Sequence, residues 1–259
     1  MRSLYPVYTL WRRELVRFVR QRSRVTGALG QPIVFWLLLG GGLNSSFQPA
    51  GAPVGTSYVE YFYPGMIGLV LLFTAIFATI STVEDRREGF LQGVLVAPVS
   101  RATIVLGQAL GGTTLAVVQG TLCLLLAPLL GISLSIGSVL ASVVVMIVMG
   151  LALTSLGLMI AWKMESTQGF HAIMNLILIP IWLLSGALFP VTDAPAPLRW
   201  LMLANPLTYG MAALRHSIYL TTATGAGAVA PLLPSLVVTA VFCIVAFGGA
   251  VMIARRSAT

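Results

Sequence analysis

The chain has 259 residues, 58% of them hydrophobic and only 8% charged, with a mean hydropathy of +0.95, whereas about a quarter of the residues in a soluble domain are charged. That balance excludes a soluble globular protein and predicts an all-α integral membrane protein. The net charge of +8, from 15 Lys and Arg against 7 acids, sits beside apolar runs, which makes a lipid surface its counterpart and argues against nucleic acid.

Residues 1–25 hold seven Arg and no uninterrupted apolar core, so no cleavable signal peptide is expected there. At helical period Leu4, Tyr8, Trp11, Leu15 and Phe18 fall on one side, and Arg13, Arg17, Arg20 and Arg24 on the other. The pattern predicts an amphipathic helix in the headgroup layer, with aromatics at the acyl boundary and Arg toward phosphate or a partner protein. A topology-setting positive patch explains the same charges, and one helix can do both.

A bilayer core of about 30 Å takes roughly 20 helical residues. Six segments meet or approach that length: 26–43, 64–83, 102–130, 136–162, 172–190 and 231–254. Gln31, Pro32 and the triplet Gly40-Gly41-Gly42 weaken the first. Cys123 and Cys243 lie inside apolar runs, where each is expected to be a small hydrophobe with no disulfide and no metal. With six spans, one side of the membrane collects 13 of the 15 Lys and Arg, leaving only Arg199 and Arg215 opposite. Positive residues stay cytoplasmic, which predicts that both termini are inside.

Between spans two and three, Glu84, Asp85, Arg86, Arg87 and Glu88 make five charges in a row, followed by Phe90, Leu91, Val94 and Leu95 and a stop at Pro98. A short apolar helix over 84–98 with charge at its start suits docking of a soluble partner at the cytoplasmic surface. An interfacial anchor is the plainer alternative. Between spans five and six, segment 190–220 holds two apolar pieces, 196–204 and 207–220, split by Asn205-Pro206. Non-helical backbone at membrane depth has to be satisfied by protein or water. This predicts a pair of re-entrant helices capping a translocation path, with two amphipathic surface helices as the alternative.

No ionisable residue falls inside a predicted span: Glu60, Glu84, Lys163 and Glu165 lie at or beyond span ends. A mid-helix charge costs about 3 kcal/mol on insertion scales and is kept mainly for function, so a proton relay is not supported. His171 and His216 sit near a span end and in the external segment. No G-x-x-x-x-G-K-[ST], H-E-x-x-H or G-x-S-x-G motif occurs, and the single lysine, Lys163, lacks a glycine lead-in. The chain is not expected to be an enzyme, and any uphill work has to come from another subunit.

Two stretches resemble the membrane-spanning subunits of ABC transporters of the ABC-2 type. One is EDRREGFLQGVLVAPVSR from Glu84, an acidic, Gly-containing segment followed by Pro and a basic residue. The other is LSGALFPV from Leu184, continuing through PLRWL to NPLTYGMAALR from Asn205. The resemblance spans essentially the whole chain and is closest to bacterial permeases grouped with drug-resistance and nodulation lipo-oligosaccharide exporters. It implies a single transmembrane domain over 1–259 in a bacterial inner membrane, a second permease copy as a homodimer, and two copies of a separate ABC ATPase. ATP and Mg belong to that ATPase, and no cofactor is bound by this chain.

By the same resemblance, ATPase coupling falls to Glu84, Asp85, Arg87, Glu88, Gly89, Phe90 and Leu91, with Trp11, Arg13, Arg17 and Arg20 of the N-terminal helix beside them. An external gate falls to Phe189, Pro190, Asn205, Pro206 and Tyr209. Gly89 then suits a sharp turn or close approach, and Pro190 the end of span five. The implied cargo is lipophilic or amphipathic: a drug, a lipid or a lipid-linked glycan. No ATPase domain is fused within these residues, so a partner is obligatory, and the spans carry no aromatic ladder suited to carbohydrate. A non-transporting scaffold paired with an ATPase and a secondary transporter are the rival readings. Small residues around Gly111, Gly150 and Gly157 suit helix packing in lipid as well as a path.

Overall fold

A computed structural model describes residues 4–20, 58–96, 98–220 and 230–256, with Gly30, Val34 and Leu38 between the first two. Apart from those three residues, the expected first span over 26–43 lies outside the described residues. Every regular element among the described residues is helical.

Four helical stretches are long and apolar enough to cross a membrane: Tyr58–Arg87, Arg101–Leu130, Ile136–Ala161 and Leu232–Arg256. The chain begins with α1 (Leu4–Arg20), and α2 (Tyr58–Ala78) runs on through Thr79 into α3 (Ile80–Arg87). After α4 (Phe90–Val96), α5 (Arg101–Leu124) starts on Ser100, whose side chain accepts from the Thr103 N–H, and ends in a 3-10 turn, Ala127–Leu130. Helix α6 (Ile136–Ala161) starts on a reciprocal Ser135/Ser138 capping box, and α10 (Leu232–Arg256) closes the described chain. These four match the expected second, third, fourth and sixth spans, with ends shifted by a few residues.

The expected fifth span, 172–190, is corrected to α7, Thr167–Leu183. Ser166 starts the helix early by accepting from the Gly169 N–H at 2.9 Å. The chain leaves the helix early because Gly186 adopts φ 74°, a left-handed conformation. Segments α8 (Ala196–Ala204) and α9 (Pro206–Ile218) correspond to the two expected apolar pieces.

Helix α2 is apolar all round and buried from Tyr61 to Ile76, so it forms the centre of the bundle. Small residues let its neighbours close in. A methyl group on Gly112 would stand 2.6 Å from Thr154 Cγ2, and one on Gly157 would stand 2.9 Å from Thr79 Oγ1. The outward faces of α5, α6 and α10 present Val118, Leu122, Val144, Ile147, Val241 and Ile244, a surface suited to lipid. Helix α9 is inserted into this bundle. Its Met211 packs on Gly68, about 15 Å along α2 from Tyr58 at 1.5 Å per residue. Past its end, the Tyr219 hydroxyl donates to the Glu60 carbonyl at 2.6 Å, back at the start of α2.

Candidate functional site

Asp85, near the end of α3, is only 1% exposed. A buried carboxylate has to be paired and hydrogen-bonded, and α1 supplies both partners. Arg13 grips Asp85 with both ends of its guanidinium, Nη1 to Oδ2 at 2.6 Å and Nη2 to Oδ1 at 2.5 Å. Arg17 donates to Asp85 Oδ1 at 2.7 Å and to Glu84 Oε2 at 2.8 Å. The Arg13 guanidinium also lies 3.8 Å from the ring centroid of Phe90, in α4. One ion cluster therefore fastens α1, α3 and α4 together, and Asp85 holds the Arg13 pKa above its ordinary value.

This geometry corrects the expected orientation of α1. Arg13 and Arg17 turn into the protein, toward Asp85, instead of facing phosphate or a partner; Arg20 of the same predicted side is exposed, and Arg24 lies outside the described residues. The packing face is rotated from the predicted stripe and consists of Leu10, Trp11, Glu14 and Phe18, while Tyr8 is exposed. It docks on α5 where Gly107 and Gly111 leave room: methyl groups there would stand 2.8 Å from Leu10 Cβ and 2.6 Å from Glu14 Cβ. Trp11 Nε1 donates to Thr114 Oγ1 at 3.0 Å. Burial raises the Glu14 carboxyl above its ordinary pKa, and the neighbouring Asp85 charge adds to the shift.

The expected helix over 84–98 is two helices. Its charged residues end α3, and Gly89, at φ 77°, turns the chain into α4. That turn seats Leu91 in a buried cluster with Ile104, Val105, Trp162 and Ala254. Arg86 Nη1 donates to the Trp162 carbonyl at 2.7 Å, tying α3 to the end of α6. The residues assigned to coupling thus divide. Asp85 and Leu91 point inward and hold the block together, with Glu84 half-buried beside them; Arg87 and Glu88 are exposed, and Phe90 is 41% exposed, available to a partner.

At the opposite end of α2, the backbone released by α7 is satisfied by side chains. Asn205 Nδ2 donates to the Ile181 carbonyl at 2.7 Å, and its Oδ1 caps α9 by accepting from the Leu207 N–H at 3.0 Å. Thr208 Oγ1 reaches the Leu184 carbonyl at 3.2 Å, Tyr61 the Gly186 carbonyl at 3.0 Å and Tyr58 the Leu188 carbonyl at 3.3 Å. Tyr209 donates to the Leu203 carbonyl at 3.1 Å, bracing α8 on α9. Pro206 is the first residue of α9, while Pro190 is buried ahead of the Val191–Asp193 turn, with Phe189 half-buried beside it.

Sequence reasoning missed Arg215, which was expected at the external surface. The structure leaves it 3% exposed, with its guanidinium 3.9 Å from the Tyr61 ring centroid and Nη2 donating to the Gly186 carbonyl at 3.4 Å. Its position at the end of an apolar helix gave the only hint. Glu14 and Trp162 were missed as well, because nothing local marks them.

The family model described as "ABC-2 type transporter" matches residues 5–219, from α1 to the end of α9. The chain is 26% identical over 223 residues to the "Putative transport permease ycf38" of Cyanophora paradoxa, covering 84% of this chain and 77% of that protein. It is 27% identical over 212 residues to Nodulation protein J of Rhizobium leguminosarum bv. viciae, covering 81% and 80%. Against Nodulation protein J of Rhizobium meliloti (strain 1021) it is 27% identical over 211 residues, covering 80% and 78%. A helical bundle with membrane-length apolar helices and a family match over most of its length make this chain a transport permease of the ABC-2 type transporter family.

Proposed function

We propose that this chain is the membrane subunit of an ATP-driven exporter, with six spans, both termini in the cytoplasm of a bacterial inner membrane, and α8–α9 re-entering from outside. Two copies pair with two copies of a separate ABC ATPase, and the cargo is lipophilic or amphipathic. The observation that carries this reading is the set of exposed residues Arg87, Glu88 and Phe90 presented on a block that the Asp85 ion cluster holds rigid.

The route from that block to the far end is a single rod. Helices α2 and α3 form a continuous 30-residue stretch, about 45 Å long. The rod carries Asp85 at one end and Tyr58 and Tyr61, which hold the Leu188 and Gly186 carbonyls, at the other. Closure of the ATPase pair displaces α4 and α3, and the rod transmits the displacement to the hairpin gate. The exposed face of α7 supports a path between the two copies. It carries Gln168, His171 and Asn175, polar side chains that lipid disfavours, while the outward faces of α5, α6 and α10 are apolar.

Coupling requires contacts that differ in free energy between two states. Glu88→Lys is therefore expected to uncouple ATP hydrolysis from transport in proteoliposomes while leaving membrane insertion intact. Transport at the wild-type rate by that variant, with wild-type ATPase activity, overturns the assignment.

A further inference from the structure

Glu14 is the only acid in α1, and it is pressed against α5 where the missing side chain of Gly111 leaves room. The residue is 6% exposed, and its Oε1 is buried with no hydrogen-bond partner among the described residues. Arg13 Nη1 stands 3.6 Å from that oxygen but gives its hydrogen bond to Asp85. Arg17 gives its guanidinium to Asp85 and Glu84. From α3, Asp85 brings a second acid to Glu14 and Ser81 brings a hydroxyl within hydrogen-bonding reach. Glu88, in the turn before α4, acts on Arg13. Helix α5 brings no charge to this face: it has no titratable residue between Arg101 and Cys123, and Arg101 lies about 15 Å along the helix from Gly111.

An ionised Glu14 would be stripped of water beside another acid. A neutral carboxylic acid avoids that cost, and it has an acceptor at hand. The Ser81 hydroxyl donates its one proton to the Ala78 carbonyl at 2.9 Å, which leaves its oxygen free to accept an O–H. We propose that Glu14 docks as the neutral acid, its O–H on Ser81 Oγ, so that α1 seats on α5 by taking up one proton from water and loosens as pH rises. Burial first, and the Asp85 charge with it, holds the carboxyl above its ordinary pKa; Arg13, Arg17 and any Ser81 proton turned toward Glu14 pull the other way. With the pKa raised in the docked state, the contribution of Glu14 to docking is fully present below the ordinary carboxylate range and is lost as pH rises through the raised value. Because the Asp85 cluster ties α1 to the block that presents Glu88 and Phe90, the proton then regulates coupling. That consequence rests on the coupling role proposed above; the docking itself needs neither an ATPase nor a cargo.

The test is hydrogen exchange of the α1 amides in the full chain in detergent, read by mass spectrometry and corrected for the intrinsic pH dependence of exchange. In the wild type, protection of α1 is expected to fall with rising pH, by up to about tenfold per pH unit for one linked proton, while α6 stays protected. Glu14→Gln keeps the shape and offers Ser81 an N–H in place of the O–H, so it is expected to hold α1 without that fall. Ser81→Ala removes the acceptor and is expected to move the profile to lower pH. A serine that donated to an ionised Glu14 would, once removed, move it to higher pH. A flat wild-type profile, an equal fall in Glu14→Gln, or a Ser81→Ala profile that stays in place or moves to higher pH overturns the proposal. If Glu14→Gln does not fold, the wild-type profile and the direction of the Ser81→Ala shift decide alone. The coupling reading is tested separately by Glu88→Lys in proteoliposomes, so either can fail without the other.

Discussion

Asp85 accepts three charge-assisted hydrogen bonds from two arginines that lie 72 and 68 positions earlier in the chain. Removing it takes both carboxylate contacts from Arg13 and leaves Arg17 held by Glu84 alone, at 2.8 Å. Asp85→Ala is therefore expected to cost about 3 kcal/mol, read as a clear drop in thermal midpoint in detergent; Glu88→Lys, on the exposed side of the same segment, is expected to leave that midpoint unchanged. An Asp85→Ala protein with wild-type thermal stability would show that the cluster is incidental. The run EDRRE, and the Arg13–Arg17 spacing of one helical turn, were both visible in the sequence. Which acid is buried was not, because that depends on how α1 rotates on α5. Periodicity leaves Glu14 at the boundary between the apolar and Arg-bearing sides of α1; Gly107 and Gly111 make the gap that takes it in, and glycine carries no local signal of which partner it will admit.

Between elements, Gly89 decides where α4 goes. Its φ of 77° is adopted freely by glycine and at a cost of about 1–2 kcal/mol by residues with a side chain. A β-branched residue is worse. Gly89→Val is expected to unseat Leu91 and to speed tryptic cleavage at Arg86 and Arg87 several-fold, with α1 still docked; an unchanged digestion pattern would mean that the turn tolerates a side chain. The span limits of α5, α6 and α10 could be read closely from apolar run length, since lipid leaves few alternatives. The end of α7 could not. An apolar run that continues to Pro190 looks like membrane helix, yet its last carbonyls are claimed by Asn205, Thr208 and Tyr61 from other elements. The hairpin was announced by its prolines and by Asn205-Pro206, but the depth of α9 comes from the fit of Met211 on Gly68, which no pattern of hydropathy encodes.

Taken whole, the molecule has two tied ends joined by the α2–α3 rod, and the proposed orientation assigns them to opposite faces of the membrane. Thr192 is exposed at one end and Glu88 at the other, and the native Cys123 and Cys243 are buried. In intact cells, an impermeant maleimide is expected to label Thr192→Cys readily and Glu88→Cys only after permeabilisation. The reverse pattern would invert the topology. The inserted hairpin also bears on how the protein is made. Helix α9 is walled by α2 and α6, and also by α10, which follows it in the chain. Until α10 arrives, α9 lacks the wall that Thr239 and Phe242 set beside Pro206, Leu207 and Gly210. The hairpin is therefore expected to take its final place only once α10 has been made, so that the order of synthesis sets the order of packing.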